Sequence, residues 1–216
     1  PEQALCIDPA SFALGGVLDG AIAQGETVLV TGLGAIGLFA LQYCVARGAE
    51  VVAASGFEER RRLAQSLGAS EVYDTRTESD VARTIKQRSG GVDAAIECSG
   101  SLETLTMAMR TARQCGRIVC VGFYSAGSLN LGEEFFHNRL TLLASLPALS
   151  WNNPVRGTPP LYAKDLQEMA ARDFAAGTIT PRGILSPTLS FRDAEHAVML
   201  IADEPQSVVK VLLRHD

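Results

Sequence analysis

The sequence lacks the features that mark several common functions. Its five cysteines, Cys6, Cys44, Cys98, Cys115 and Cys120, form no CxxC pair, so neither a zinc ribbon nor a dithiol redox motif is encoded. Several fall in apolar strand or helix patterns, the usage expected of reduced core thiols in a cytoplasmic protein. Acidic residues outnumber basic ones 24 to 19, and the only basic run is Arg60, Arg61 and Arg62. Nucleic-acid binding needs clustered Lys and Arg, so no nucleic-acid partner is expected. No apolar stretch reaches membrane-spanning length and no basic-then-apolar leader opens the chain, so no membrane association is expected either. Histidine is limited to three residues, and no Cys/His pair has catalytic-zinc spacing.

What is present is an alternation. The chain has 216 residues, 47% of them hydrophobic, which suits one domain or one domain plus part of another. The opening segment has apolar residues at Phe12, Leu14, Val17, Leu18 and Ile22, a helical spacing that should end near Gly25. Then "TVLVTG", "EVVAAS", "EVYD", "VDAAIECSG", "RIVCVGFY" and "LTLLASL" read as six strands. Between them "AIGLFALQYCVARGA", "EERRRLAQSLGA", "ESDVARTIKQRSGG" and "LETLTMAMRTARQCG" read as helices. That order specifies an α/β fold, a Rossmann-type doubly wound parallel sheet of six strands. "PALSWNNPVRGTPP" reads as a loop, followed by a helix in "LYAKDLQEMAARDFAAG" and a strand, helix and strand to the end. The last strand has no slot in a sheet already complete. The expected organisation is a connecting helix over 1–24, a dinucleotide-binding domain over 25–148, and a loop, helix and C-terminal segment over 149–216.

The chemistry lies at residues 28–37, "VLVTGLGAIG". Gly32, Gly34 and Gly37, with Leu33, Ala35 and Ile36 between them, form GxGxxG after a buried strand and before a helix. Gly32 permits the tight turn, Gly34 lets backbone approach a pyrophosphate, and Gly37 allows close helix–strand packing. The helix start supplies free N–H groups and partial positive charge. An acid at the end of the second strand would bind the ribose hydroxyls of NAD; here stand Ser55 and Gly56. Ser55-Gly56 removes the repulsion of a 2′-phosphate and opens room for it, so NADP is expected to bind in preference to NAD. Arg60 is the side chain expected to reach back to that phosphate.

Together these residues resemble the zinc-type medium-chain dehydrogenase/reductase family. The resemblance rests on "VLVTGLGAIG", "RRRLAQSLGA", "VDAAIECSG", "GRIVCVGF" and the tail "LSFRDAEHAVMLIADEPQSVVKVLL". The opening "ALCIDPASFALGGVLDGAIAQGETVLVTG" is most similar to the polyol dehydrogenase branch, in which an "I-E-P" places a carboxylate at the catalytic zinc; Asp8 stands in that position. "GFYSAGSLNLGEEFFHNRLTLLAS" is similar to a subgroup with a "GEEFHHNR"-like signature.

The resemblance implies hydride transfer between nicotinamide and a small-molecule alcohol or carbonyl, with zinc as Lewis acid in the intact enzyme. It implies that Cys98, Ser99, Val121, Gly122, Phe123, Ser145 and Leu146 line the nicotinamide pocket. It also implies a β-rich, GroES-like catalytic domain before this chain, carrying the zinc ligands, to which the C-terminal segment returns. The chain alone is then expected to bind cofactor without turnover and without a complete zinc site. Asp8 is either a metal ligand or a cap for the following helix, and His137 either a catalytic group or a helix-end histidine. A homodimer is expected through the sixth-strand edge, "LTLLASLPALS". A free-standing dinucleotide-binding module with a regulatory or redox-sensing role, and a zinc-independent quinone-reductase-like enzyme, are the alternatives.

Overall fold

The computed structural model describes residues 2–146, 154–156 and 160–215. Strands β1 (Thr27–Thr31), β2 (Glu50–Ala54) and β4 (Val92–Glu97) are almost wholly buried. Strands apolar on both sides need cover on both faces. With β3 (Glu71–Tyr73), β5 (Ala112–Cys120) and β6 (Thr141–Ala144) they form one six-stranded sheet in the order β3-β2-β1-β4-β5-β6, every pair parallel. The order reverses between β1 and β4, the switch point at which such sheets bind ligands.

Alternate residues of each strand divide the core in two. Val28, Val30, Val51, Ala53, Ala94, Ile96 and Val119 face one cluster. Helices α1 (Ile7–Asp19), α2 (Ala35–Ala46) and α7 (Ala163–Ala176) cover it. Leu29, Val52, Ala54, Ala95 and Ile118 face the other, under α4 (Val81–Ser89) and α5 (Leu102–Thr111). Helix α2 is nearly all apolar and mostly buried, as a helix without a polar face must be. Helix α3 (Glu58–Ser66) is the opposite case: it buries only Ala64 and carries its charges outward. Phe174 of α7 meets Phe39 of α2 edge-on, ring centroids 5.5 Å apart, so the helix of the 149–216 segment packs with the layers of the large sheet.

Three expectations need correcting. The first helix ends at Gly20, not Gly25; Gly25 serves instead the turn into β1, where its N–H donates to Gly48 O at 2.9 Å. Helix α5 stops at Thr111, because Ala112 already pairs beside Val92. Cys115 is exposed rather than a core thiol, with its N–H donating to Asn138 O at 2.7 Å.

The last strand indeed lies outside the large sheet. β7 (Leu185–Ser190) and β8 (Lys210–Arg214) form a separate parallel pair, joined through α8 (Ala194–Asp203), which exposes Val198, Met199 and Ile201. The loop expected over 147–160 lies outside the described residues except for 154–156 and Pro160. Among the described residues no helix is long and apolar enough to cross a membrane.

Candidate functional site

The glycine turn occupies the C-terminal end of β1, and each glycine has a separate physical reason. Gly32 has φ +72°, and a β-carbon on it would stand 2.3 Å from Ser99 N. A side chain is therefore excluded both by backbone conformation and by the chain that follows β4. At Gly37 a β-carbon would meet Gly32 O at 2.2 Å, so α2 can lie against the turn only without one. Gly34 is different: nothing lies within 4 Å of where its β-carbon would be. The first intrahelical bond runs from Leu38 N to Gly34 O, 2.9 Å, leaving the amides of Ala35, Ile36 and Gly37 at the helix start without intrahelical acceptors. Open space over Gly34, beside three such amides and the positive end of the helix dipole, is a cradle that fits a dinucleotide pyrophosphate.

Thr31 pairs with Ala54, so Ser55 and Gly56 stand beside this turn at the next strand end. Ser55 is buried; its hydroxyl accepts from Phe57 N at 3.2 Å, and its carbonyl accepts from Arg61 Nη1 at 2.7 Å. Arg61 also pairs with Asp74 at 2.8 Å. Arg60, expected to reach a 2′-phosphate, is engaged by the chain's own carbonyls. Its guanidinium donates to Pro205 O at 2.6 Å and Val208 O at 3.1 Å, and it lies 4.8 Å from the centroid of the Phe57 ring, next to the strand tip. The arginine whose side chain lies against Gly56 itself is Arg76, in the loop after β3. A β-carbon on Gly56 would touch its Nε at 2.6 Å, and its guanidinium lies over the Phe57 ring, 4.4 Å from the centroid. Arg76 is exposed and forms no salt bridge with any described residue. Its distance in sequence from Ser55 hid it; a basic residue just past the third strand is the signal that was available.

On the other side of the switch point, Cys98 and Ser99 follow β4 while Val121, Gly122 and Phe123 follow β5. The structure brings these two loops together. Phe123 is 95% exposed. Ser145 and Leu146 follow β6; the Ser145 hydroxyl is turned back to Asp19 at 2.8 Å. Sequence reading missed the group on which these loops converge, the fully buried Glu97 at the end of β4. Its Oε1 accepts from Ser99 N at 2.7 Å, from the Ser99 hydroxyl, and from Thr31 Oγ1 at 3.5 Å. Its Oε2 accepts from Gly100 N at 3.1 Å and from the Tyr124 hydroxyl. Burial first, then the Glu97 carboxylate, pushes the Tyr124 phenol far above its ordinary range, so it stays protonated as a donor. An acid directly after the apolar run Ala94–Ile96 was the visible sign.

The expected metal position is poorly furnished. Asp8 is exposed in the first turn of α1, where it complements the helix dipole and does not cap; the N-cap is Cys6. Among the described residues no three His, Cys, Asp or Glu side chains converge as a metal site. These residues therefore do not fit zinc by themselves. His137 closes the short helix α6 (Glu134–His137), edge-on to Phe136. His196 is exposed on α8 and His215 stacks on Phe191.

Residues 35–152 match the family described as zinc-binding dehydrogenase. The chain is 32% identical over 216 residues to D-guloside 3-dehydrogenase of Escherichia coli K12, covering 97% of this chain and 61% of that protein. It superposes on an alcohol dehydrogenase of Thermus sp. ATN1 with a TM-score of 0.83 and 27% identity, over 100% of this chain and 60% of that one. A zinc-binding dehydrogenase of Sinorhizobium meliloti 1021 solved with NADP gives a TM-score of 0.76 and 25% identity, over 96% and 57%. The chain thus spans about 60% of the length of these relatives. By its glycine turn, its sheet order and these likenesses, the chain belongs to the zinc-binding dehydrogenases, an oxidoreductase family of the medium-chain alcohol dehydrogenase type.

Proposed function

We propose that this chain is the cofactor-binding part of an NAD(P)-dependent oxidoreductase that interconverts an alcohol or polyol and a carbonyl. The observation that carries the reading is the open cradle at Gly34 beside the unengaged amides of Ala35 to Gly37. Bound nicotinamide would supply the hydride acceptor or donor. The chain's own residues hold it. The helix α2 start takes the pyrophosphate, Ser55 and Gly56 take the adenosine ribose, and Cys98, Ser99, Val121, Gly122 and Phe123 line the nicotinamide side at the ends of β4 and β5. Ser145 and Leu146 extend that lining from β6. Zinc belongs to the whole protein in this reading, held by residues beyond those described, and no step on this chain is assigned to it. The free thiols support a cytoplasmic setting. The position of β6 at the edge of the sheet supports assembly as a homodimer.

The cofactor preferred is NADP(H), and the phosphate partner is Arg76 in place of Arg60. No carboxylate side chain ends β2; Ser55 and Gly56 are there instead. The nearby Asp74 is neutralised by Arg61, which leaves Arg76 as net positive charge over Gly56. A charge-assisted contact to a 2′-phosphate is worth about 1.5–3 kcal/mol, roughly a tenfold to hundredfold preference. Fluorescence titration of NADPH and NADH, with wild type and Arg76→Ala, tests this. The expected result is tighter NADPH binding that the substitution abolishes. Tighter NADH binding by the wild type would overturn the preference.

A further inference from the structure

The buried Glu97 has a role beyond occupying the core. A carboxylate removed from water must be satisfied by donors, and this one is satisfied from three strand ends. Thr31 reaches it from β1, Ser99 and Gly100 from the loop after β4, and Tyr124 from the loop after β5. The backbone carbonyl of Glu97 accepts as well, from Val121 N at 2.9 Å and Gly122 N at 3.0 Å. The residue thus sets the start of the β5 loop through its main chain and the course of both loops through its side chain.

The contacts it enforces are unusually close. A β-carbon on Gly122 would stand 2.3 Å from Gly100 N and 3.0 Å from Glu97 Oε2; one on Gly100 would stand 2.3 Å from Phe123 O. The two loops touch backbone to backbone because both positions are glycine, and the carboxylate lies at their junction. Ser99 N, which donates to Glu97, also lies where a Gly32 β-carbon would be.

We infer that Glu97 is a positioning residue for the nicotinamide half of the site: its carboxylate clamps the loops after β4 and β5 into one surface and leaves the adenosine half to β1, β2 and Arg76. The inference rests on the dinucleotide reading above. A neutral amide of the same shape cannot serve as well. In Glu97→Gln, one terminal atom becomes an NH2 donor that faces either Ser99 N–H or Gly100 N–H, so one accepted backbone bond becomes a donor–donor contact and the hydroxyls on that side must turn to accept.

The test separates the two halves of the ligand. ADP carries the adenosine and the diphosphate without nicotinamide, while NADPH and NADH carry both. Affinity for ADP and for the tighter of the two dinucleotides is measured by calorimetry on wild type and Glu97→Gln, with folding checked by circular dichroism. The expected result is a dinucleotide affinity lowered about tenfold, the equivalent of one charge-assisted hydrogen bond, with ADP affinity changed less than about twofold. A parallel fall for ADP and dinucleotide, or no fall in either, overturns the inference and leaves the dinucleotide reading standing. Failure of the wild type to bind any of the three ligands overturns the reading and the inference with it. Should Glu97→Gln fail to fold, Tyr124→Phe and Ser99→Ala each remove one donor and are expected to shift the same ratio, by roughly threefold; an unshifted ratio in both refutes the clamp.

Discussion

Gly34 and Gly37 stand three residues apart in one motif, yet the structure assigns them opposite sensitivities. An alanine at Gly37 would drive its methyl into Gly32 O, a backbone atom that cannot rotate away, at 2.2 Å. Relief requires α2 to move off the end of β1, an overpacking cost of about 1–3 kcal/mol. For a chain of this size that lowers the melting temperature by roughly 2–4 °C per kcal/mol. An alanine at Gly34 meets nothing within 4 Å, and the native φ of −82° suits any residue. Its helix-cap loss is offset by reduced freedom of the unfolded chain, so stability should change by less than about 1 kcal/mol. That methyl projects into the space over the helix start, between the amides and any pyrophosphate. Losing one or two amide–phosphate bonds costs about 1.5–3 kcal/mol, roughly a tenfold to hundredfold weaker binding. Scanning calorimetry and NADPH fluorescence titration on both variants give the two readouts. A Gly34→Ala protein that binds as tightly as wild type would refute the placement of the pyrophosphate; one that melts as early as Gly37→Ala would refute the steric argument.

The remaining predictions concern side chains whose partners are now known. Arg60→Ala should lower stability by about 1–3 kcal/mol through its lost bonds to Pro205 O and Val208 O, and should leave the NADPH-to-NADH affinity ratio unchanged; a collapsed ratio would return the phosphate to Arg60. Burial pushes the Cys6 thiol up to about 11 and Cys44 to about 12, and it also raises Cys98 and Cys120. A thiol reagent at pH 8 should therefore modify one cysteine quickly, the exposed Cys115, and Cys115→Ser should remove that fast phase. The Arg110 guanidinium, then the Arg83 amide, holds the Asp80 carboxyl below its usual value. A folded-state pKa that is lowered adds stability above the unfolded value of about 3.9 and loses it as pH falls through the folded value. Asp80→Asn should accordingly flatten the acid limb of stability below about pH 4, measured by circular dichroism; an unchanged limb would show that the Arg110 contact is not maintained in solution.

Sheet order and the turn were legible because they rest on local rules. Runs such as Val28–Val30 and Ala94–Ile96 are apolar on both faces, and that is visible in sequence as an unbroken string. The glycine motif was legible because its three positions have fixed spacing and fixed steric reasons. The fate of Arg60 was not, because its bonds to the carbonyls of Pro205 and Val208 depend on chain about 145 residues away. Arg76 and Tyr124 were hidden for the same reason: each acquires its meaning only when two separate loops meet. The end of α5 was missed because helix propensity in "TARQCG" was overruled by pairing to Val92.

The tip of β2 is braced from behind. Arg61 ties the Ser55 carbonyl to Asp74 and so fastens the end of one strand to the end of the next, while Gly56 and Arg76 lie on the outer side and bury little. Scaffold and recognition are thus carried by different residues. On the dinucleotide reading, exchanges at positions 56 and 76 alter which electron carrier is accepted without touching the core. A lineage built on this frame can change its cofactor by a few surface substitutions, each tolerated by the fold before it is useful.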